Sequence, residues 1–256
     1  MPIENLINDP VGFLKNLAIS LPAILIALIL HECAHGYVAY KCGDPTAKML
    51  GRLSLNPLKH LDPLGTAMML LAGIGWAKPV PVNPRNYRNY RRDDLLVSLA
   101  GIAMNLILCL LFSLICQIFL AVLFANLPTG YYAASSVKRT WFEYFFAMGE
   151  DVSAYWGEGW GILYQVLSRV AVTNLSLAVF NLLPIPPLDG YHVLNDLLLK
   201  RSLFANPRFA QIASSVLFVV VIGTDWLDKL LTFVLTHVLG ALGTLGYAVI
   251  SAVGRI

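Results

Sequence analysis

The chain has 256 residues, 57% of them hydrophobic and 13% charged, with a formal net charge of +3 and a mean hydropathy of +0.68. Soluble domains carry about a quarter charged residues, so this composition excludes an ordinary soluble protein and points to a polytopic membrane protein. The small net charge, with no basic stripe on a soluble face, gives no case for nucleic-acid binding.

The N-terminal stretch MPIENLINDPVGFLKN lacks the basic head and small-residue cleavage site of a signal peptide. The first apolar segment, about Leu17 to Tyr40, is therefore expected to stay in the mature protein as the first of five spans. From Met49 to Asn56, Leu53 and Leu55 alternate with Arg52, Ser54 and Asn56, and Pro57 ends the pattern. This predicts a small β-hairpin-like element near residues 47–57. Pro63 to Ala77 is apolar, but its 15 residues include three glycines. It is short for a span and reads as a re-entrant or interfacial segment.

The second span is expected within Leu95 to Phe124, inside a run to Val137 that contains no Asp, Glu, Lys or Arg. The third runs from about Gly161 to Leu183, and the fourth, Phe209 to Thr224, is short. The fifth fills most of Leu230 to Ala252, again free of charged residues. The predicted fold class is an all-α polytopic membrane protein, with about five transmembrane helices added to the re-entrant and hairpin-like pieces. The four cysteines (Cys33, Cys42, Cys109, Cys116) show no CxxC pairing and fall in or beside apolar segments, as buried free thiols do.

Nine Lys and Arg residues lie between Lys41 and Arg92, whereas Asn126 to Trp160 has only Lys138 and Arg139 beside four acidic residues. The positive-inside rule then puts Lys41 to Arg92 in the cytoplasm and Asn126 to Trp160 outside. Counting onward, Pro184 to Arg208 returns to the cytoplasm, Asp225, Asp228 and Lys229 lie outside, and the N-terminus is outside.

His31-Glu32-Cys33-Ala34-His35 matches H-E-x-x-H. On a helix, positions i and i+4 share a face, so both imidazoles can reach one ion while Glu32 addresses a water on it. Zinc lowers the pKa of bound water toward about 7, and the carboxylate takes its proton as attack occurs. Ionisable groups in an apolar helix are expensive unless paired or functional, which weakens a chance match. A catalytic zinc usually has a third protein ligand. The extended metzincin pattern fails, because Val38 and Lys41 stand where Gly and His are needed.

The third ligand is sought in NLLPIPPLDG, Asn181 to Gly190. Three prolines in four positions cannot continue a helix, so the chain unwinds and can turn Asp189 inward. Gly190 would allow an unusual dihedral or a close backbone approach. His192, three residues on, shares a helix face with Asp189 and competes for the role. His60 and His237 are weaker candidates.

HECAH in an apolar helix, GRLSLNP (51–57), GWAKPVPVNPRNYR (75–88), LAGIAMN (99–105) and NLLPIPPLDG together resemble the site-2 protease family of intramembrane zinc proteases. The likeness is to its small prokaryotic branch, without PDZ or CBS domains, and spans residues 17 to about 195. The resemblance implies His31, His35 and Asp189 as ligands of one zinc per chain, with Glu32 as catalytic base and His192 as a neighbour. It implies one membrane metalloprotease domain over 1–256, with a catalytic core of about 17–195 and C-terminal helices at 209–252. Two departures stand out: Ile102 replaces a frequent proline, and Tyr191 a frequent glycine or small residue.

The implied function is hydrolysis of a peptide bond in or near the transmembrane segment of a membrane-protein substrate. Relatives release membrane-tethered regulators or clear signal-peptide remnants. Asn181 and Asn105, amides at membrane depth, are candidates for binding the substrate backbone or stabilising an oxyanion, against a role as helix-helix glue. The strand-like residues 49–56 offer an edge to an unwound substrate. The expected location is a prokaryotic cell membrane, with the site near its cytoplasmic side, where His35 and Asp189 reach the same depth. The alternatives are a membrane zinc transporter, which would need several spaced ligand sites, and a non-catalytic zinc-bound adaptor, which an intact Glu32 disfavours.

Overall fold

A computed structural model describes residues 7–72, 75–125, 152–154, 156–199 and 207–252. Most of the loop expected at Asn126 to Trp160, and Lys200 and Arg201, lie outside the described residues.

The first helix, α1 (Pro10–Cys42), opens with Asp9 accepting a hydrogen bond from the Gly12 N–H and proline at its first position. Both satisfy helix-start requirements, since proline lacks a donor that would be orphaned there. It closes at Gly43, whose φ of 113° is the left-handed conformation that ends helices cheaply. A single turn, α2 (Thr46–Met49), follows; α3 (Pro63–Ala72) comes next, and then the long α4 (Tyr90–Ala125). Asn89 caps α4 reciprocally: its side chain accepts from the Arg92 N–H, and Asp93 reaches back to the Asn89 N–H. Then come α5 (Glu158–Asn181), the short α6 (Asp189–Leu194) running into a π turn at Asn195–Leu199, α7 (Pro207–Gly223) and α8 (Trp226–Ala252).

Four helices among the described residues are long and apolar enough to cross a bilayer: α1, α4, α5 and α8. With 17 residues, α7 is the shortest of the expected spans. The ten residues of α3 rise about 15 Å, half a hydrocarbon core, so this helix cannot cross.

The helices α1, α4 and α5 pack on one another and form the centre; α6 docks on α4, α8 leans on α4 and α5, and α7 touches α8. Burial on α4 is reversed from a soluble helix. Ser98, Asn105, Ser113 and Gln117 are buried, whereas Leu106, Ile107, Leu110, Leu111, Leu114 and Ile118 face outward. A charge-free apolar outer face with inward polar groups fits lipid contact. Cys109 packs with Leu175 and Leu239, and Cys116 with Leu120, Tyr164 and Ala171; all four cysteines are free thiols.

Residues 47–57 do not form the expected hairpin. After α2 the chain turns at Gly51 and continues irregularly to Asn56, with no strand among these residues. The backbone acceptors that a ladder would use are taken by side chains. Arg52 donates to the carbonyls of Lys78 and Pro79, and the His60 ring meets the Ser54 carbonyl at 2.7 Å. Opposite, Pro79 and Pro81 have no N–H to offer a neighbouring strand. The sheet-like pairing among the described residues is one antiparallel bridge, Leu61 with Ala77.

Candidate metal centre

His31 and His35 lie one turn apart on the face of α1 turned toward α4, and Asp189 begins α6. The Nε2 atoms of the two histidines are 3.0 Å apart, and Asp189 Oδ2 lies 3.3 Å from each. Ligands at zinc bond lengths in a tetrahedron stand about 3.3 Å apart, so the three edges fit the ion closely. Among the described residues this is the one group of three metal-ligating side chains. His31 is 6% exposed, so the group sits away from bulk water.

Backbone contacts place His35 and Asp189, whereas the buried Nδ1 of His31 has no hydrogen-bond partner. His35 Nδ1 lies 2.7 Å from the Val97 carbonyl of α4, which fixes that ring with Nε2 toward the ion site. Gly101, one turn further along α4, faces both rings. A Cβ there would lie 2.4 Å from His35 Nε2 and 2.5 Å from His31 Cε1. Only a residue without a side chain leaves the rings their place. Asp189 is brought in by the broken end of α5. At Gly190 a Cβ would lie 2.3 Å from the Leu182 carbonyl oxygen, so the start of α6 presses onto the backbone that ends α5. Of the two uses the sequence allowed for Gly190, close approach is the one found. Burial works to raise the Asp189 carboxyl, but the His31 and His35 imidazoles beside it outweigh this and bring it down to about 2. The group is thus ionised, as metal ligation requires.

Glu32 points elsewhere. Its Oε2 accepts a 2.7 Å hydrogen bond from the Val80 N–H. In Pro79-Val80-Pro81 that is the only N–H, and it is spent on this carboxylate, leaving Oε1 free of that bond.

The other candidates are placed apart from the three. His192 Nδ1 meets Asp94 Oδ2 at 3.2 Å, a hydrogen bond that raises the His192 pKa. His60 is buried against Ser54, and His237 is exposed and turned to the Phe233 carbonyl. Asn181 donates to the Leu177 carbonyl of its own helix. Asn105, one turn beyond Gly101, is fully buried with neither amide atom partnered.

Sequence reasoning missed Asp44, Val80, Asp94 and Val97 and gave Gly101 no role. Asp44 is fully buried after the α1 cap and accepts from the Thr46 N–H and hydroxyl, the Asn83 N–H and the Asn86 amide. It ties the α1 terminus to the segment that carries Val80. The P-V-P triplet and the glycine in LAG were the available signals. The contacts of Asp44, Asp94 and Val97 carry none in local spacing.

Residues 19–224 match the profile of peptidase family M50. The chain belongs to peptidase family M50. It is accordingly a zinc metalloprotease, and its apolar helices make it an integral membrane protein. It is similar to the candidate zinc metalloprotease YwhC of Bacillus subtilis, 39% identical over 87% of this chain and 88% of that protein. It is also similar to the candidate zinc metalloproteases Rip2 of two mycobacterial species. Identity with the Mycolicibacterium smegmatis protein is 27% over 72% of this chain and 59% of that protein. With the Mycobacterium tuberculosis protein it is 29% over 79% and 67%. No solved structure matches the chain.

Proposed function

We propose that this metalloprotease is an intramembrane endopeptidase that cleaves in or near a transmembrane segment of its substrate. Zinc would be held by His31, His35 and Asp189, with Glu32 as general base. The observation that carries this reading is the meeting of the His31, His35 and Asp189 ligand atoms at 3.0–3.3 Å, with both histidines on a helix long and apolar enough to span. The metal, when bound, supplies an electrophilic centre that acidifies water and polarises a carbonyl. Glu32 Oε1 takes the proton of the attacking water as its oxygen adds to the scissile carbonyl carbon. When the C–N bond breaks, Glu32 returns the proton to the departing amine. The Val80 N–H fixes the carboxylate for both transfers.

An apolar groove of about 460 Å³ runs beside the site, between α1 and α4, lined by Cys33, Tyr37, Leu53, Leu55, Ala103 and Met104. Its lining suits an unwound apolar peptide. Asn105 and Asn181 are the amides proposed to contact that peptide or its oxyanion, and the unpartnered state of Asn105 favours it of the two. We read residues 1–256 as one such domain, with α7 counted as a fifth crossing. His35 is seven residues, about 10 Å, from the end of α1 that leads into the Lys- and Arg-rich 41–92 segment. This supports a site near the cytoplasmic side of a prokaryotic cell membrane, supplied with water from the cytosol.

The test is Glu32→Gln with a model membrane substrate: zinc is retained and cleavage is lost. Unchanged cleavage sinks the mechanism. Asp189→Ala loses bound zinc; zinc lost in His192→Ala and kept in Asp189→Ala assigns the third ligand to His192 instead.

A further inference from the structure

Asp94, the fifth residue of α4, is 8% exposed, yet the chemistry proposed above gives it no task. A buried carboxylate is costly unless a charged or hydrogen-bonded partner meets it. Asp94 faces His192, which lies three residues beyond Asp189 in α6 and whose side chain is half exposed, and the Asp196 carboxyl in the π turn behind it; of the two, only His192 can meet its charge with an opposite one. With six residues and no side-chain cap at its start, α6 cannot sustain itself, so its register comes from what it docks on. Two side chains one turn apart on α4 reach it and the π turn behind it. Asp94 meets His192, and Arg91 Nε donates to the Asp196 carbonyl at 3.0 Å. Three residues further along α4 the Val97 carbonyl meets His35, and Gly101 follows against both rings. One face of α4 therefore touches both halves of the metal centre, which come from parts of the chain more than 150 residues apart.

We propose that Asp94 is a positioning residue of the metal centre. By holding His192 Nδ1 it registers α6, and with it Asp189, on the helix face whose Val97 carbonyl orients His35. The proposal rests on Asp189 being the third ligand. Metal sites tolerate only about 0.2 Å of ligand displacement, and lost outer-shell partners cost roughly 10–100-fold in affinity. Asp94 acts one link further out, so the lower end, about tenfold, is expected.

The experiment uses the full chain in lipid nanodiscs. Zinc affinity is measured by competition with a chelator, and the cobalt-loaded protein is read by its d–d absorption. Asp94→Ala weakens zinc about tenfold and shifts the cobalt bands. Asp94→Asn, which keeps an oxygen for the imidazole N–H, restores affinity to within about threefold. His192→Ala reproduces Asp94→Ala, and the double variant is no weaker than either single one, as expected for one shared contact. Should Asp94→Ala not fold, His192→Ala removes the same contact from its more exposed partner and reads the same outcome. Wild-type zinc affinity and cobalt spectrum in His192→Ala, or additive losses in the double variant, overturn the proposal. Asp189→Ala is measured alongside. Zinc retained there refutes the ligand set itself, whatever the Asp94 variants do.

Discussion

Gly101→Ala adds one methyl group to α4, and elsewhere in a helix that change would be welcome. Alanine is favoured over glycine by about 1 kcal/mol in a helix interior. Here the new carbon would lie 2.4 Å from His35 Nε2, 2.5 Å from His31 Cε1 and 2.7 Å from His31 Nδ1. Comfortable contact for such atoms begins near about 3.5 Å, so both rings or the helix must move by roughly 1 Å. Overpacking of this kind costs about 1–3 kcal/mol, which outweighs the propensity gain. The cheapest relief is rotation of the two imidazole rings, and on the ligand set proposed above the cost then falls on the metal. Zinc affinity is expected to drop roughly 10–100-fold, while unfolding of the metal-free protein shifts by no more than about 2 kcal/mol. The assay is chelator competition on the purified protein, with thermal unfolding measured with and without zinc. Leu106→Ala, on the outward face of the same helix, is the comparison. Gly101→Ala with wild-type zinc affinity would refute the cradle, and with it the packing of α4 against the ligand rings.

Asp44→Ala removes the acceptor of four hydrogen bonds and is expected to destabilise the protein by about 3 kcal/mol in denaturant unfolding, with cleavage lost in parallel. Burial would raise the Asp44 carboxyl, but those bonds hold it below its ordinary value of 3.8. Its contribution is therefore complete above that value and lost as pH falls through the folded value, and wild type and Asp44→Ala should converge in acid. Asp196 shows the opposite sign. Burial first, and then the Asp94 charge, raise it from 3.8 to about 6. It therefore costs stability in a window that opens near pH 4 and is complete above about pH 6. Asp196→Asn should raise stability at pH 7.5 by roughly 1 kcal/mol after solvent screening and leave it unchanged at pH 4; a thermal-shift series across pH reads both ends. Asn105→Leu, which removes two unpartnered buried atoms, is expected to add about 1–2 kcal/mol of stability and keep zinc, while cleavage falls at least about tenfold. Unchanged cleavage removes Asn105 from the list of substrate contacts.

The residues that the sequence made legible are those whose relation is written in local spacing. His31 and His35 share a face because four residues make a turn, and the charge-free runs at 95–137 and 230–254 contain long helices because no charged group interrupts them. That Asp189 rather than His192 stands beside the two histidines needed the proline-broken NLLPIPPLDG segment together with the family likeness, since chain spacing alone left His192 open. The hairpin at 47–57 was misread because its alternation covers few residues. The hydrogen bonds of Asp44 with Thr46 and side-chain capture of the Ser54, Lys78 and Pro79 carbonyls outweigh that pattern. Val97 and Asp94 could not be found from spacing at all. Val97 acts through a backbone carbonyl that every residue possesses, and an acidic residue near a helix start is ordinarily explained by the helix dipole.

The separation of the ligands along the chain also has a temporal side. His31 and His35 are synthesised about 150 residues before Asp189. At roughly 5–20 residues per second, the first helix waits on the order of 10–30 s before α6 emerges. On the ligand set proposed here, a nascent chain in that interval carries the base and two imidazoles in the membrane without a complete site. On that ligand set, hydrolytic competence arrives only once Asp189 has joined the two histidines of the first helix.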